Sequence, residues 1–287
     1  MNQLKLRLLL SRAWHDVAAA QSAALVVAGD RNGWFRALAQ GPADATQLAA
    51  ATNADEPLLR MWLVNQANAG FITFDAASGR YSLDEEQAAV FTDDSVPAGF
   101  ELAATLTRGD DATAAIDRMS ASNARQLAAR WLADDLRGGT ILDVGCGRGG
   151  VARELARQFP DARIHGIDVR DVPADEERIT FAIADAATVS GTYDVALLVD
   201  VLHELRDPAA VLAHLREHAR AIVIVEPLFE DGVSARLMSS AAFLFCLPAA
   251  GAATFRDEAA LRELLTAAGF TAITRRDDPS HLVLEGR

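Results

Sequence analysis

Cysteine is nearly absent: two thiols, Cys146 and Cys246, occur in 287 residues. No spacing pairs them, and two thiols without clustered histidines are too few for a four-coordinate zinc site. Neither a disulfide framework nor a structural metal is expected. Positive charge is also scarce, with 27 Lys and Arg against 40 Asp and Glu and a formal charge of −13. Such a chain repels polyanions and lacks the basic footprint of a nucleic-acid binder. Proline (9) and glycine (19) are too few for a disordered or fibrous chain when half the residues (51%) are hydrophobic. No internal repeat is present, and no low-complexity tract beyond alanine richness. The N-terminus has no unbroken apolar segment, because Lys5, Arg7, Arg12 and Asp16 interrupt its leucines, so no export signal is read. The longest uncharged run, residues 237–255, has the length of a membrane span. Ser239, Ser240, Pro248 and Gly251 break it, and it reads as a buried helix, not a span. What remains is a globular protein of a reducing cytoplasm, suited to small-molecule chemistry. At about 150 residues per domain it divides in two.

Residues 4–28 carry Leu, Val and Ala with few breakers, which predicts one or two helices ending near Gly29 and Gly33. An apolar start of this kind needs a partner surface. Short helices are expected at 33–39 and 44–51, then a third from about 55 to 68, with Asp55 as N-cap, Pro57 in its first turn and Gly70 at its end. Strand-like segments at 71–74 and 80–83 flank a turn-rich loop and complete a winged helix. Winged helices can bind DNA, but residues 41–95 hold two basic residues (Arg60, Arg80) against nine acidic ones, a net of −7. A packing or dimerisation module is the better reading. Trp14, Trp34 and Trp62 stand at helical spacing and read as core.

The expected boundaries are 1–100 for the helical arm and winged helix, 101–137 for a helical connector and 138–287 for a third segment. In this last segment, apolar runs alternate with helical stretches, the signature of a parallel sheet covered on both faces. Its last two runs are separated by only 276–280, too short for a helical crossover, so the final strand is expected antiparallel to its predecessor.

The strongest motif lies at the first strand of that sheet, Asp143-Val-Gly145-Cys146-Gly147-Arg-Gly149-Gly150. Glycines there permit a tight turn and close backbone approach to a nucleotide-bearing ligand. Gly145, Gly147 and Gly150 also satisfy the G-x-G-x-x-G of nicotinamide enzymes. The neighbours discriminate. Asp143 would gain little beside a pyrophosphate and suits a cationic ligand. Asp168 ends the next strand, where a carboxylate can accept both ribose hydroxyls. Asp185 follows the third strand, within reach of an adenine amino group, and the fourth strand ends in Val199-Asp200-Val201-Leu202-His203-Glu204.

With these residues in order, and with Val225-Glu226-Pro227 and Ala268-Gly269-Phe270 beyond them, the chain resembles the class I S-adenosylmethionine-dependent methyltransferases. The likeness is to bacterial members whose winged-helix head is similar to that of small-molecule O-methyltransferases, and it covers nearly the whole chain. It implies an α/β, Rossmann-like seven-stranded sheet with an antiparallel last strand. It also implies a small-molecule acceptor, a homodimer formed through the N-terminal helices, and no nucleic-acid or membrane partner. By the same resemblance the loop at Gly145, Cys146, Gly147 and Gly149 holds the methionine moiety of S-adenosyl-L-methionine, with Asp143 beside it. Asp168 holds the ribose, Asp185 and Ala186 line the adenine, and Val169, Asp200 and Val201 complete the cofactor site. S-adenosyl-L-homocysteine is then the product.

His203 matches the histidine that takes the hydroxyl proton in related O-methyltransferases, with Glu204 standing where they carry aspartate. A near-neutral imidazole suits that task. The alternative is a histidine that merely packs beside the cofactor. Glu226 can orient His203, although acids before proline often cap or face solvent, and that plainer reading is preferred. Cys146 reads as a small packed residue. His214 and His218 lack a third ligand and read as a surface pair, so no metal is expected. One departure stands out: only ten residues, 169–178, join the second and third strands, too few for the usual crossover helix. Two other functions remain open for this fold, an S-adenosylmethionine-binding regulator that reads DNA and an enzyme that uses the cofactor without methylating. The run 237–248 is expected to cover the acceptor.

Overall fold

The computed structural model describes residues 2–108, 113–227, 256–278 and 281–287. The expected helix over 237–255, its acceptor-covering role and Cys246 lie outside the described residues. Two compact units are present, Met1–Ala104 and Thr105–Arg287. The expected connector 101–137 divides between them.

In the first unit, the run from residue 4 forms a single helix, α1 (Gln3–Arg31), capped by Asn2, whose side chain accepts the Lys5 N–H at 3.0 Å. No residue of α1 before Ser22 is buried. Trp14 is 70% exposed, against the expectation that it is core, because it sits on the half of α1 that no other element of this unit covers. After Gly33 in the left-handed region come α2 (Trp34–Leu38), α3 (Ala45–Thr52) and α4 (Glu56–Asn68). Asp44 and Gln47 close a reciprocal capping box on α3, and Asp55 caps α4 by accepting the Leu58 N–H at 2.9 Å. Strands β1 (Thr73–Asp75) and β2 (Arg80–Ser82) form the hairpin, its loop tied by Asp75 to Ala77 and Ser78. Three helices and a hairpin in this order make the expected winged helix. Two further helices follow, α5 (Glu85–Phe91) and α6 (Ser95–Arg108).

Aromatics fill this core. Trp62 meets Trp34 and Phe35 edge-on with centroids 5.2 and 5.0 Å away, and its indole N–H donates to the Leu25 carbonyl at 2.8 Å. Gly29 lets α1 close on Trp62, since a Cβ there would stand 2.4 Å from Trp62 Cζ2. Burial of these rings, with α1 docked over them, is what stabilises the unit.

The second unit opens with α7 (Thr113–Trp131) and continues through β3 (Thr140–Val144), α8 (Gly150–Gln158), β4 (Arg163–Asp168), β5 (Ile179–Ile183), β6 (Tyr193–Val199), α9 (Pro208–His218), β7 (Ala219–Pro227), α10 (Glu258–Ala267), β8 (Ile273–Arg276) and β9 (His281–Gly286). Among the described residues, seven of these strands form one sheet in the order β5-β4-β3-β6-β7-β9-β8. All neighbours are parallel except β9, which runs antiparallel to both β7 and β8. Alternate residues serve opposite faces. Val195, Leu197 and Val199 pack with Trp131 and Leu155 beneath α7 and α8, while Ala196 and Leu198 pack with Leu212, Leu215 and Leu265 beneath α9 and α10. Burial on both sides is why these strands are continuously apolar. Between β4 and β5 no helix forms: residues 169–178 run as coil and turn. Arg178 pins that segment to the end of α8, donating to the carbonyls of Ala156 at 2.8 Å and Phe159 at 3.3 Å.

The chain order reverses between β3 and β6, so their carboxyl ends part to leave a crevice, the place where open α/β sheets bind ligands.

Candidate active site

The glycine loop leaves β3 into this crevice. Its backbone is held by the neighbouring strand: the N–H groups of Gly145 and Cys146 both donate to the Ile167 carbonyl, at 2.8 and 2.9 Å. Gly145, Gly147 and Gly149 all have positive φ, but their surroundings differ. A Cβ on Gly145 would lie 2.4 Å from Val201 Cγ2, and one on Gly149 would lie 2.6 Å from the Phe181 ring. One on Gly147 would meet nothing within 4 Å. The first and third are therefore glycine for packing, whereas Gly147 borders open space. Phe181 also lies against Gly166, so its ring backs the loop beside the helix-free crossover.

Asp168, buried at the end of β4, steadies the loop by accepting the Gly147 N–H on Oδ2 at 3.0 Å, and its Oδ1 accepts the Arg170 N–H at 2.9 Å. Asp143 is buried, and its Oδ2 has no hydrogen-bond partner. Burial, then the charges of Asp117 and Asp168, push its carboxyl up to about 7. A buried carboxylate oxygen without a partner calls for a donor, and one surrounded by other acids calls for a cation. Cys146 is buried, and burial together with the charges of Asp143, Asp168 and Asp117 pushes its thiol far above the ordinary range, which argues against a thiolate nucleophile.

Across the crevice, Asp200 follows β6 in the left-handed region (φ 53°), where its N–H donates to the Val225 carbonyl at 2.9 Å and its Oδ2 accepts from Ser120 Oγ at 3.5 Å. That turn leads into a short 3₁₀ segment, Leu202–Glu204. Glu226, on β7, accepts the Leu202 N–H on Oε1 and bonds His203 Nδ1 through Oε2, both at 2.9 Å. The preferred reading of Glu226 as a cap or solvent-facing acid is thus corrected: it is 3% exposed and grips both the turn and the imidazole. Burial works against a charged His203, but the bond from Glu226 and the charges of Glu226, Asp200 and Glu204 outweigh it, and the ring titrates above its ordinary value. Burial, reinforced by Glu226, raises Asp200 as well.

The crevice therefore brings together Asp143, the loop glycines, Asp168, Val201, Asp200 and His203. Other expected residues lie at its margin. Glu204 is exposed, as is Asp185, whose Oδ1 accepts the Ala187 N–H at 2.9 Å; Ala186 beside it is buried. Val169 is 69% exposed. His214 and His218 bond the carbonyls of Val189 and Gly191, and no group of His, Cys, Asp or Glu suited to a metal occurs among the described residues. Sequence reading passed over Asp117 of α7, which accepts the Gly150 N–H at 3.0 Å, and a buried set at the start of β9. There His281 bonds Asp278 at 3.3 Å, and Asp278 also accepts the Trp131 indole N–H at 2.9 Å.

Residues 116–275, more than half the chain, match a family model described as a methyltransferase domain. The chain belongs to that methyltransferase-domain family. The motif loop, Asp168, His203 and Glu226 all lie within the methyltransferase domain, and residues 20–93 match an Rv2258c-like winged HTH domain. Among curated relatives, trans-aconitate 2-methyltransferase of Deinococcus radiodurans is 29% identical over 164 residues, 51% of this chain and 64% of that protein. A ubiquinone biosynthesis O-methyltransferase of Vibrio parahaemolyticus is 34% identical over 93 residues, 28% of this chain and 39% of that one. The matched regions thus span less than two thirds of these relatives. Solved structures similar over nearly their full length include a calicheamicin-biosynthesis methyltransferase in its SAH-bound form (21% identity, TM-score 0.69, 99% of each chain). Human N-acetylserotonin methyltransferase in complex with SAM is another (18%, 0.68, 97% of each). At these identities the likeness shows the fold. Among the described residues no helix is long and apolar enough to cross a membrane.

Proposed function

We propose that this protein transfers a methyl group from S-adenosyl-L-methionine to a hydroxyl of a small molecule, with His203 as general base, and releases S-adenosyl-L-homocysteine. The observation that carries this reading is the buried His203–Glu226 pair on one side of a crevice whose other side holds a buried, partnerless Asp143 oxygen. The cofactor supplies an electrophilic methyl on a sulfonium. What the chain supplies is position and a proton acceptor.

Asp143 and the loop at Gly145, Cys146, Gly147 and Gly149 receive the cationic amino-acid end, and the open face of Gly147 gives it room. Asp168 retains lone pairs for two ribose hydroxyls. Asp185 and Ala186, with Val169, border the adenine, and Asp200 and Val201 floor the crevice. Glu226 holds His203 with Nδ1–H toward its carboxylate, and Nε2 is assigned as the acceptor of the hydroxyl proton. Glu204 adds negative charge that acts on the ring. Homodimerisation through the N-terminal helices and a cytoplasmic location belong to the same reading. A DNA-reading role is disfavoured by α4, whose exposed side chains include Leu58, Met61 and Val64.

The test is calorimetric titration with S-adenosylmethionine, S-adenosylhomocysteine and NAD, on wild type and Asp168→Ala. Saturable binding of the two adenosyl ligands that Asp168→Ala weakens more than tenfold, with no binding of NAD, is the expected result. Binding of NAD alone would overturn it.

A further inference from the structure

The face of α7 toward the sheet carries polar residues three apart, Asp117, Ser120 and Asn123. Each reaches a different part of the second unit: Asp117 the start of α8 at Gly150, Ser120 the end of β6 at Asp200, and Asn123 the start of β9 at His281. Asp117 differs from the other two in bringing a full charge to a place already acidic. Its carboxylate acts on both Asp143 and Cys146, and every charge acting appreciably on Asp143 is negative. The start of α8 engages Oδ1 of Asp117 through one N–H, which fixes the side chain without neutralising Asp143. Asp117 is thus fixed at the end of the glycine loop that leaves Asp143, whose buried Oδ2 lacks a donor.

Resting on the cofactor reading above, we propose that Asp117 is the second carboxylate of an ammonium site, pairing with Asp143 to select the α-ammonium of the adenosyl ligand's amino-acid end. A primary ammonium offers three N–H donors and one positive charge, enough to satisfy Asp143 Oδ2, engage Asp117 and relieve their repulsion. The glycine loop recognises shape and backbone; this pair recognises charge. An adenosyl thioether without the ammonium would leave the repulsion in place.

The experiment compares two ligands on the full chain by calorimetry: S-adenosylhomocysteine, and the same molecule with its α-amino group replaced by hydrogen. The variant is Asp117→Asn, which keeps a carbonyl for the Gly150 N–H and removes only the charge. The expected result is that Asp117→Asn weakens S-adenosylhomocysteine at least tenfold while the deaminated ligand binds within twofold of wild type, and its retained binding reports an intact fold. In wild type the deamination itself should cost at least tenfold, a measurement that stands even if the variant does not fold. Equal loss for both ligands would make Asp117 a structural residue of the α7–α8 contact and overturn the proposal, as would no loss for either. If wild type binds neither adenosyl ligand, the cofactor reading itself has failed.

Discussion

His203 Nδ1 and Glu226 Oε2 stand 2.9 Å apart with both side chains nearly excluded from solvent, although 23 residues separate them in sequence. The pair sets the pH at which the imidazole can work as a base. Because His203 titrates above its ordinary 6.5, it is neutral only at higher pH, and the acid limb of kcat should lie above that value. Glu226→Gln removes the charge that raises it and leaves only a neutral acceptor for Nδ1–H. The limb should move to lower pH while the plateau falls about 10- to 100-fold, and His203→Ala should cost about 10²- to 10⁴-fold. A pH profile of kcat for the three proteins checks this. An unmoved limb in Glu226→Gln would leave Glu226 only a backbone tether.

Asp143 makes the opposite trade between stability and binding. Its carboxyl titrates near 7 in the folded chain against 3.8 ordinarily, so between these values the folded state binds more protons than the unfolded one. Stability of the ligand-free protein therefore falls as pH rises through that window. Asp143→Asn should be more stable than wild type by about 1–3 kcal/mol at pH 8, with the difference vanishing near pH 4. The same variant should lose affinity for S-adenosylhomocysteine. Urea unfolding at the two pH values provides the check, and an equal difference at both would show that the charge is not responsible.

What was legible in the sequence is what local chemistry encodes. The cap at Asp55, the glycine loop, the absent crossover helix and the antiparallel last strand each follow from a few adjacent residues or a short spacing. The helix α5 went unread, although Asp84 and Gln87 stand at the spacing of the capping box that starts it. Glu226 and Asp117 were not legible in this way. The first depends on the β6–β7 register, which carries the end of β7 to the turn at Leu202, and the second on where α7 crosses the end of the sheet. Trp14 was misread because spacing reports that a helix has an apolar face, not which molecule covers it.

Trp62 anchors the first unit, so Trp62→Ala should cost about 3–5 kcal/mol through the cavity it leaves. Gly29→Ala tests the same contact from the other side. Its methyl would stand 2.4 Å from the Trp62 ring, and overpacking of that kind costs about 1–3 kcal/mol. Combining Gly29→Ala with Trp62→Phe should recover part of the loss, since the smaller ring vacates the space the methyl needs. Guanidinium unfolding of wild type, Gly29→Ala, Trp62→Phe and the double variant, followed by tryptophan fluorescence and circular dichroism, measures the coupling. Simple additivity would mean that Gly29 is glycine for another reason.

The first half of α1 exposes Leu4, Leu8, Leu9, Leu10, Trp14 and Val17, each at least 46% open to solvent in the single chain. Fully burying a side chain of this kind is worth about 1.5–3 kcal/mol, and soluble proteins rarely leave so many large apolar groups contiguous and uncovered. A second copy of the same helix is the occupant that the homodimer reading supplies, since it presents the same surface in return. Leu10 and Trp14 are four residues apart, just over one helical turn, so both fall on one side of α1. Replacing both with glutamate would put four like charges across a two-fold contact. Sedimentation equilibrium should then give a dimer for wild type and a monomer for the Leu10→Glu, Trp14→Glu variant, with the dimer dissociation constant raised more than about 100-fold. Both residues lie before the first buried position of the helix, Ser22, so the winged-helix core and its unfolding midpoint should be unchanged. A wild type that sediments as a monomer would assign this face to a different partner.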